Sequence, residues 1–184
     1  MAPFMHRFCC CGSDPFGCQY CSDGTPEEYN VVFAGITLCA GCYEPDSTGT
    51  SFNNVAWAAG DVLNAAHVLT RSALCRWSKR INGAITLDYY PLSNNCSTTA
   101  FPQTVDIFID LTREAGHWRL DVYTSAPNND GEMFYDRVVH SGSGICQTVP
   151  AFANQNVNCL AKAKGALGGG ILSTGGTGTA TPVP

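Results

Sequence analysis

Two closely spaced pairs of cysteines constrain this chain more than any other feature of its sequence. They follow the pattern C-x2-C-x17-C-x2-C and consist of Cys18, Cys21, Cys39 and Cys42. Four thiolates at this spacing can complete a tetrahedral shell around zinc, because each tight pair supplies two sulfurs. The β-branched and aromatic residues 29–38 predict a strand that would bring the pairs together, as in a zinc ribbon. The spacing therefore predicts a zinc site.

Disulfide bonds are the alternative interpretation of the same cysteines. The chain has 11 cysteines, an odd number that cannot all pair within one molecule. The N-terminus lacks the apolar stretch of a secretory signal, which predicts folding in a reducing cytoplasm and favours metal-bound thiols. The adjacent Cys9, Cys10 and Cys11 could replace a ligand or form a further bridge, and His6 is the one histidine near the cluster. For four later cysteines, free thiol and disulfide are both retained as alternatives: Cys75, Cys96, Cys146 and Cys159.

The clearest β-hairpin lies between residues 104 and 124. Apolar residues alternate with polar ones on both of its strands, so one side is expected to face a core and the other side solvent. Pairing Leu111 with Trp118 places Asp110 opposite Arg119 on the solvent side, where they could form an ion pair. The hairpin therefore predicts an antiparallel sheet with one buried face.

The rest of the chain has the pattern of short strands separated by turns rich in glycine, proline, asparagine and aspartate. Roughly eight such strands predict an all-β fold, an antiparallel β-sandwich or jelly-roll-like domain. Residues 1–45 are expected to form a cysteine-rich, zinc-ribbon-like segment that packs on this domain. Residues 46–184 are expected to form the β-sandwich, which ends in a C-terminal arm rich in glycine and threonine, with residues 179–183 as a final edge strand.

Charge and hydropathy exclude two classes of partner. The net charge is −5 and charged residues make up 14% of the chain, whereas proteins that bind nucleic acid through its phosphates cluster lysine and arginine. The densest basic stretch, residues 76–80, is interpreted as an ordinary solvated strand face. No apolar run approaches the about 20 residues that a membrane-spanning helix needs. We therefore expect neither nucleic acid nor a membrane as a partner.

Three aspartates are the strongest candidates for catalysis. Asp106 and Asp110 share one face of their strand, and Asp121 is predicted on the neighbouring strand. Paired carboxylates can hydrolyse glycosidic bonds, but aspartates that alternate with apolar residues beside an arginine are typical of a solvent-facing sheet. No spacing typical of a metal site or catalytic motif occurs among the four histidines, His6, His67, His117 and His140. The protein is therefore expected not to be an enzyme.

Several sequence elements follow one another in a fixed order along most of the chain. They are CCC at 9–11, CQYC at 18–21, VVFAGI at 31–36, CAGC at 39–42, CRW at 75–77, the isolated Cys96 and GGTGTATPVP at 175–184. In this order they resemble a loosely defined group of cysteine-rich β-proteins from tailed phages and planctomycete-type bacteria. The phage members are expected to be virion parts, so the resemblance implies an assembly role and brings no catalytic residues.

We therefore expect a structural component of a bacteriophage virion, in a capsid decoration, neck or tail. Such a protein would be made in the host cytoplasm and would bind copies of itself and other virion proteins. A zinc-stapled domain that can also form disulfides would persist outside the cell. The alternative is a carbohydrate-binding or adhesion module. Its glycan would stack on exposed aromatic rings from among Phe108, Tyr123, Tyr89 and Tyr90. A secreted disulfide scaffold is a third hypothesis, which requires a signal peptide.

Overall fold

The computed structural model describes residues 25–39, 51–90, 101–114, 117–125, 130–139, 149, 151–155 and 173–184. Within these residues every regular element is a β-strand. The strands are β1 (Glu28–Ala34), β2 (Thr37–Leu38), β3 (Ser51–Trp57), β4 (Ala66–Ala73), β5 (Arg76–Tyr90), β6 (Phe101–Glu114), β7 (His117–Ser125), β8 (Asp130–Val139), β9 (Phe152–Ala153), β10 (Ser173–Thr174) and β11 (Thr177–Pro182). The prediction of an all-β fold is confirmed.

Nine of these strands form one antiparallel sheet. Its order is β8-β7-β6-β5-β4-β1-β11-β9, and β3 pairs with the second half of β5. The other two strands, β10 and β2, pair with each other. Because β8 at one end of the sheet approaches β9 at the other, the sheet curls until it is nearly closed. The antiparallel prediction is therefore confirmed, and the inward side chains of the whole sheet share one core.

The core is built from the inward residues of successive strands. On β6 and β7 these are Ile107, Ile109, Leu111, Trp118, Leu120 and Val122, all of them buried. Three aromatic rings pack together in it: the Tyr29 ring centroid lies 4.7 Å from that of Trp77 and 5.8 Å from that of Trp118, both edge to face. Such a pair adds roughly 0.5–1.5 kcal/mol to the stabilisation that burial gives. Apolar burial is thus the main source of stability.

The β6–β7 hairpin is present, but its register differs from the predicted one. Asp110 lies opposite Asp121 rather than opposite Arg119. The paired strands extend to Glu114 and resume at His117, so the connection is shorter than the prediction assumed. A shift of two residues leaves every side chain on its original face, because side chains alternate with a period of two. The buried side of the hairpin therefore agrees with the prediction, although the partners do not.

β5 is one strand of 15 residues with a bulge in its middle. Its pairing with β6 shifts between Ile81 and Ile85, and Gly83 inside the bulge has a φ of +55°, which L side chains rarely adopt. The Asp106 side chain fills the bulge, with 2.7 Å between its Oδ1 and the Gly83 nitrogen that donates to it. The bend that such a bulge introduces lets β5 pair first with β4 and then with β3.

β11, the last strand of the chain, lies inside the sheet between β1 and β9. It runs antiparallel to β1 over six residue pairs, from Tyr29 with Pro182 to Ala34 with Thr177. The expectation of a terminal edge strand at residues 179–183 is therefore wrong. No local pattern reveals this position, because the two paired strands come from opposite ends of the chain.

The predicted domain division at residue 45 lies largely outside the described residues, which do not include 1–24 and 40–50. The described part of the predicted N-terminal segment contains β1, and β1 pairs with β4 and β11 in the main sheet. Residues 28–34 are therefore built into the main domain. The arrangement of the remaining cysteine-rich segment stays a prediction.

Candidate functional site

The outward side chains of β4–β7 form a polar surface, which we call the ionic face. Its members are Ser72, Arg76, Ser78, Arg80, Asp106, Phe108, Asp110, Arg119, Asp121 and Tyr123. They alternate with buried residues on the same strands, so the pattern that builds the core also collects these polar groups on the other side. The three aspartates considered for catalysis share this face, as predicted.

Asp110 is the centre of the ionic face. Its Oδ2 accepts hydrogen bonds from Arg76 Nη2 at 2.5 Å and from Tyr123 Oη at 3.0 Å. Its Oδ1 accepts one from Ser78 Oγ at 2.5 Å, and Ser78 Oγ lies 2.8 Å from Ser72 Oγ. Only 7% of the Asp110 side chain is exposed, so the carboxylate is held by protein donors in place of water. This network joins β4, β5, β6 and β7.

These hydrogen bonds decide the ionisation of Asp110. Burial by itself raises the pKa of the carboxyl, but the hydrogen bonds from Arg76, Ser78 and Tyr123, together with the Arg76 charge, outweigh burial and hold the pKa below 3.8. The same contact raises the pKa of the Arg76 guanidinium. Asp110 is therefore ionised at neutral pH and fully engaged with its donors.

Asp106 accepts hydrogen bonds both from the bulge of β5 and from an arginine. Its Oδ2 accepts a hydrogen bond from Arg80 Nε at 2.7 Å, and Arg80 Nη2 donates to the same oxygen. The hydrogen bond from the Gly83 N–H and those from Arg80 lower the pKa of Asp106. The general acid of a glycosidase needs a raised pKa, and neither Asp106 nor Asp110 has one.

Asp121 completes the set of charges on the ionic face. Its Oδ2 lies 2.6 Å from Arg119 Nε, in the geometry of an ion pair rather than of an aligned hydrogen bond. Asp106 and Asp110 also form ion pairs, with Arg80 and Arg76, and these pairs are hydrogen-bonded as described above. Each aspartate is thus paired with its own arginine. The face carries little net charge. Asp106 and Asp110 connect β6 to β5, whereas Asp121 and Arg119 pair within β7.

Three side chains form a row across the middle of the ionic face. The rings of Phe108 and Tyr123 are cross-strand neighbours and stack with 5.2 Å between centroids and 14° between planes. On the β5 side, the guanidinium carbon of Arg80 lies 5.6 Å from the Phe108 centroid. Since β5 and β7 flank β6, Arg80 and Tyr123 lie on opposite sides of Phe108. A sugar that stacked on Phe108 would have to displace one of them.

A second surface of different chemistry lies on the outer side of β4, β1 and β11, and we call it the uncharged strip. It consists of Val32, Ala34, Ala66, Val68, Thr70, Thr177, Thr179 and Thr181, all exposed. Val32 and Val68 are among the most exposed large apolar residues of the described chain, at 39% and 45%. The members of the strip present methyl groups and hydroxyls without charge. On the same side of β1, Asn30 lies opposite Val68 and Glu28 lies opposite Thr70, so the strip has an amide in its middle and a carboxylate at one end.

The predicted zinc ligands are only partly within the described residues. Cys18, Cys21 and Cys42 lie outside them, whereas Cys39 is buried and disulfide-bonded. A sulfur in a disulfide is not a thiolate, so Cys39 does not fit as a zinc ligand in this form of the chain. Among the described side chains, no group of three or more His, Cys, Asp or Glu residues is arranged to hold a metal ion. The zinc site at Cys18, Cys21, Cys39 and Cys42 stays a prediction, and it requires Cys39 in its reduced form.

The other sequence candidates are distributed as follows. Cys75 is buried and disulfide-bonded. His67 is buried, and its Nε2 donates to the Leu63 carbonyl at 3.0 Å. Burial lowers the pKa of His67 although this hydrogen bond raises it, and the Lys79 charge lowers it slightly further. The side chains of Tyr89, Tyr90 and His117 lie outside the described part, as do residues His6, Cys9, Cys10, Cys11, Cys96, His140, Cys146 and Cys159.

Sequence reasoning missed the partners of Asp110 on β5. The stretch CRWSKR places Arg76, Ser78 and Arg80 on one side of a strand, but nothing in it shows that this strand pairs with β6. It also missed a buried arginine: Arg113 lies with its guanidinium carbon 5.1 Å from the Trp118 ring centroid. Burial lowers the pKa of Arg113. The predicted pairing of Leu111 with Trp118 would have left this residue in the connection between the two strands.

Comparison with known proteins adds no relative: no family model, no curated protein and no solved structure matches the chain. In the part that the structure describes, no helix has the length and apolar character to cross a membrane. The two outer surfaces and the disulfide-bonded cysteines are therefore the features from which function is inferred.

Proposed function

We propose that this chain is a structural component of a bacteriophage virion, placed in a capsid decoration, neck or tail, where it binds copies of itself and other virion proteins. The observation that carries the proposal is the uncharged strip. Exposed aliphatic and threonine side chains on three neighbouring strands suit contact with another protein, because little polar solvation is lost when they are covered. The ionic face, by contrast, satisfies its own charges.

The disulfide-bonded cysteines support a role outside the reducing cytoplasm. Cys39 and Cys75 are both buried and both oxidised in this structure. Disulfides persist in oxidising surroundings, which include the surface of a virus particle. A virion protein is made in the cytoplasm and then exposed outside the cell, so it can form such bonds after release.

The finer features of the sequence hypothesis belong to this proposal. In this proposal the nearly closed sheet is a β-sandwich or jelly-roll-like domain, and the zinc-ribbon-like segment is formed by the cysteine-rich parts of residues 1–45 on either side of β1. Because Cys39 is oxidised, zinc would be held by Cys18, Cys21 and Cys42 with a fourth ligand from the other residues near the N-terminus, among which His6 and Cys9–Cys11 have suitable donor atoms. The expectation that the protein is not an enzyme is kept.

The assembly role is tested with a charge placed on the strip. Val68→Lys should abolish concentration-dependent association of the purified chain in sedimentation velocity, because an unpaired lysine would have to be desolvated in the contact. Leu74→Lys is the matched control, since Leu74 is 41% exposed but lies in the β4–β5 turn, away from the strip. Equal association of the two variants would refute the role of the strip.

The virion assignment is tested separately. Mass spectrometry of particles purified from the source culture should find this chain in a constant ratio to the other particle proteins. Its absence from intact particles, while it is present in the soluble lysate, would reject the virion role without bearing on the strip.

A carbohydrate-binding or adhesion module is the second candidate function. The observation in its favour is the surface pair of Phe108 and Tyr123, of which Tyr123 has one ring face turned away from Phe108. Glycan-array binding that disappears in Tyr123→Ala but survives in Tyr123→Phe would support it, because the ring and not the hydroxyl stacks on a sugar. Binding to no glycan above background would reject it.

A further inference from the structure

Asn82 and Gly83 form the only Asn-Gly pair in the sequence. The Asn82 side chain is exposed, and the pair lies in the bulge of β5, where the pairing with β6 shifts between Ile81 and Ile85. Asparagine is a thermolabile residue, and it is most reactive before glycine, because no side chain then shields the next backbone nitrogen. By its sequence context, Asn82 is therefore the asparagine of this chain with the least local protection.

The reaction open to Asn82 is the loss of its amide group. The Gly83 nitrogen, tethered beside the Asn82 side chain, attacks Cγ of Asn82 as an intramolecular nucleophile. A bond from this nitrogen to Cγ forms, the bond from Cγ to the side-chain nitrogen breaks, and the Gly83 proton leaves with that nitrogen as ammonia. Water then opens the resulting succinimide ring at either carbonyl and gives aspartate or isoaspartate, so the reaction needs water alone.

The isoaspartate product would change the fold at a sensitive place. It routes the main chain through the former side chain and adds one carbon atom to the backbone between positions 82 and 83. β5 pairs with β4 before the bulge and with β3 after it. A longer backbone at this point would put the two halves of β5 out of register with β6, the strand that pairs with both of them.

The bulge cannot avoid this reaction by using another residue in place of Gly83. Gly83 has a φ of +55°, which L side chains rarely adopt, and a Cβ atom there would lie 3.3 Å from Thr104 Cγ2. A bulkier residue that shielded the backbone nitrogen would therefore strain the bulge. Control of the reaction falls to the groups around the Gly83 nitrogen.

Asp106 engages this nitrogen. The Gly83 N–H donates to Asp106 Oδ1 at 2.7 Å, while the other carboxylate oxygen accepts from Arg80 Nε at 2.7 Å. The hydrogen bond from Gly83 is the largest cause of the lowered pKa of Asp106, followed by the hydrogen bond from Arg80. Asp106 is therefore an ionised acceptor and a weak base, which holds the Gly83 proton without removing it.

We propose that Asn82 is a site of spontaneous deamidation, and that the hydrogen bond from the Gly83 N–H to Asp106 suppresses the reaction in the folded chain. To close the ring, the Gly83 nitrogen has to turn from Asp106 toward Asn82 and give up its proton. A charge-assisted hydrogen bond must break first, which requires local opening of the bulge. The inference goes beyond the assembly role and does not rest on it.

The test compares three full-length chains: the wild type, Asp106→Ala and Arg80→Gln. They are incubated side by side at mildly alkaline pH, and peptide mapping by mass spectrometry measures the conversion of Asn82. Asp106→Ala should react about tenfold faster than the wild type or more, because a hydrogen bond to a charged acceptor is lost. Arg80→Gln keeps the acceptor of the Gly83 N–H and should stay close to the wild type.

Two results of this comparison overturn the proposal. The first is an Asp106→Ala rate equal to or below that of the wild type, since the carboxylate would then not restrain the nitrogen. The second is equal acceleration in Asp106→Ala and Arg80→Gln, which would trace the effect to a general weakening of the ionic face.

A further variant keeps the test decisive if Asp106→Ala does not fold. Asp106→Asn keeps the shape of the side chain and an uncharged acceptor oxygen. Its Asn82 should react faster than that of the wild type, but more slowly than in a free peptide of residues 79–86, KRINGAIT, in which no carboxylate engages the Gly83 nitrogen. An Asp106→Asn rate equal to that of the wild type, or a peptide that reacts no faster than the folded wild type, overturns the proposal.

Discussion

Asp110 of β6 and Asp121 of β7 lie directly opposite each other across two neighbouring strands. Two like charges in this position repel and destabilise a sheet. The structure compensates each of them separately, with Arg76 on Asp110 and Arg119 on Asp121. The stability of the ionic face therefore depends on the arginines remaining in place.

The first prediction concerns the carboxylate at the centre of this face. Asp110→Asn removes the charge that Arg76 neutralises and leaves the hydroxyl donors with a weaker acceptor, so it should lower the free energy of unfolding by about 1–3 kcal/mol. Urea denaturation followed by tryptophan fluorescence measures this change.

The matched control for Asp110→Asn is Glu27→Gln. Glu27 forms an ion pair with Arg71 at 2.6 Å but is 72% exposed, and exposed pairs contribute little, so the change should stay within about 0.5 kcal/mol. If both variants lose the same stability, burial of Asp110 is not what gives its contacts their strength.

The second prediction concerns pH. The pKa of His67 in the folded chain lies below 6.5 because the ring is buried. As the pH falls below about 6.5, the unfolded chain takes up this proton before the folded chain does, so stability is lost on the acidic side. The denaturation midpoint should therefore decrease when the pH is lowered from 7.5 to 5.5. This interval lies above the range in which aspartates with ordinary pKa values titrate.

His67→Gln is the variant that isolates this effect. Glutamine keeps an N–H donor within reach of the Leu63 carbonyl but does not titrate, so the midpoint should change less between the two pH values than in the wild type. A wild-type midpoint that is the same at both pH values would show that His67 does not govern acid stability.

The third prediction concerns the contact between Gly178 and Leu120. Gly178→Ala places a methyl group in a space that Leu120 occupies and should cost about 1–3 kcal/mol by overpacking. In a Leu120→Ala background that space is open, so the same substitution should cost less, with a coupling of more than about 0.5 kcal/mol in a double-mutant cycle. Additive losses would mean that the two residues do not touch.

The fourth prediction concerns the cysteines and the predicted zinc. Without reductant, Cys39 and Cys75 should resist alkylation even after a chelator is added, because both are in disulfides. Emission spectrometry of the same sample tests for zinc, and thiols released by the chelator should map to Cys18, Cys21 and Cys42. A Cys39 that becomes reactive on chelation instead of on reduction would restore the four-cysteine site.

The sequence was sufficient to predict which residues face inward on β6 and β7, because alternation with a period of two is a local property. It was insufficient for the partners of those strands. Asp110 finds its donors on Arg76 and Ser78, more than 30 positions away, and its true neighbour on β7 depends on a connection two residues shorter than expected.

Two further features were hidden for the same reason. The pair Asn82–Gly83 is typical of a turn between two strands, but in the structure it lies in a bulge that Asp106 holds within one continuous strand. The oxidised state of Cys39 depends on which sulfurs the fold brings together. Cysteine spacing favoured zinc, but spacing does not show which sulfurs meet.

The internal position of β11 also bears on how fast the sheet can form. Its pairs with β1 join residues 143 to 153 positions apart, from Ala34 with Thr177 to Tyr29 with Pro182. Contacts of such long sequence separation require the entropy of a large loop to be lost before they stabilise the chain, and proteins rich in them fold slowly. The β6–β7 hairpin, whose strands are neighbours in sequence, is therefore expected to form before β11 takes its place beside β1.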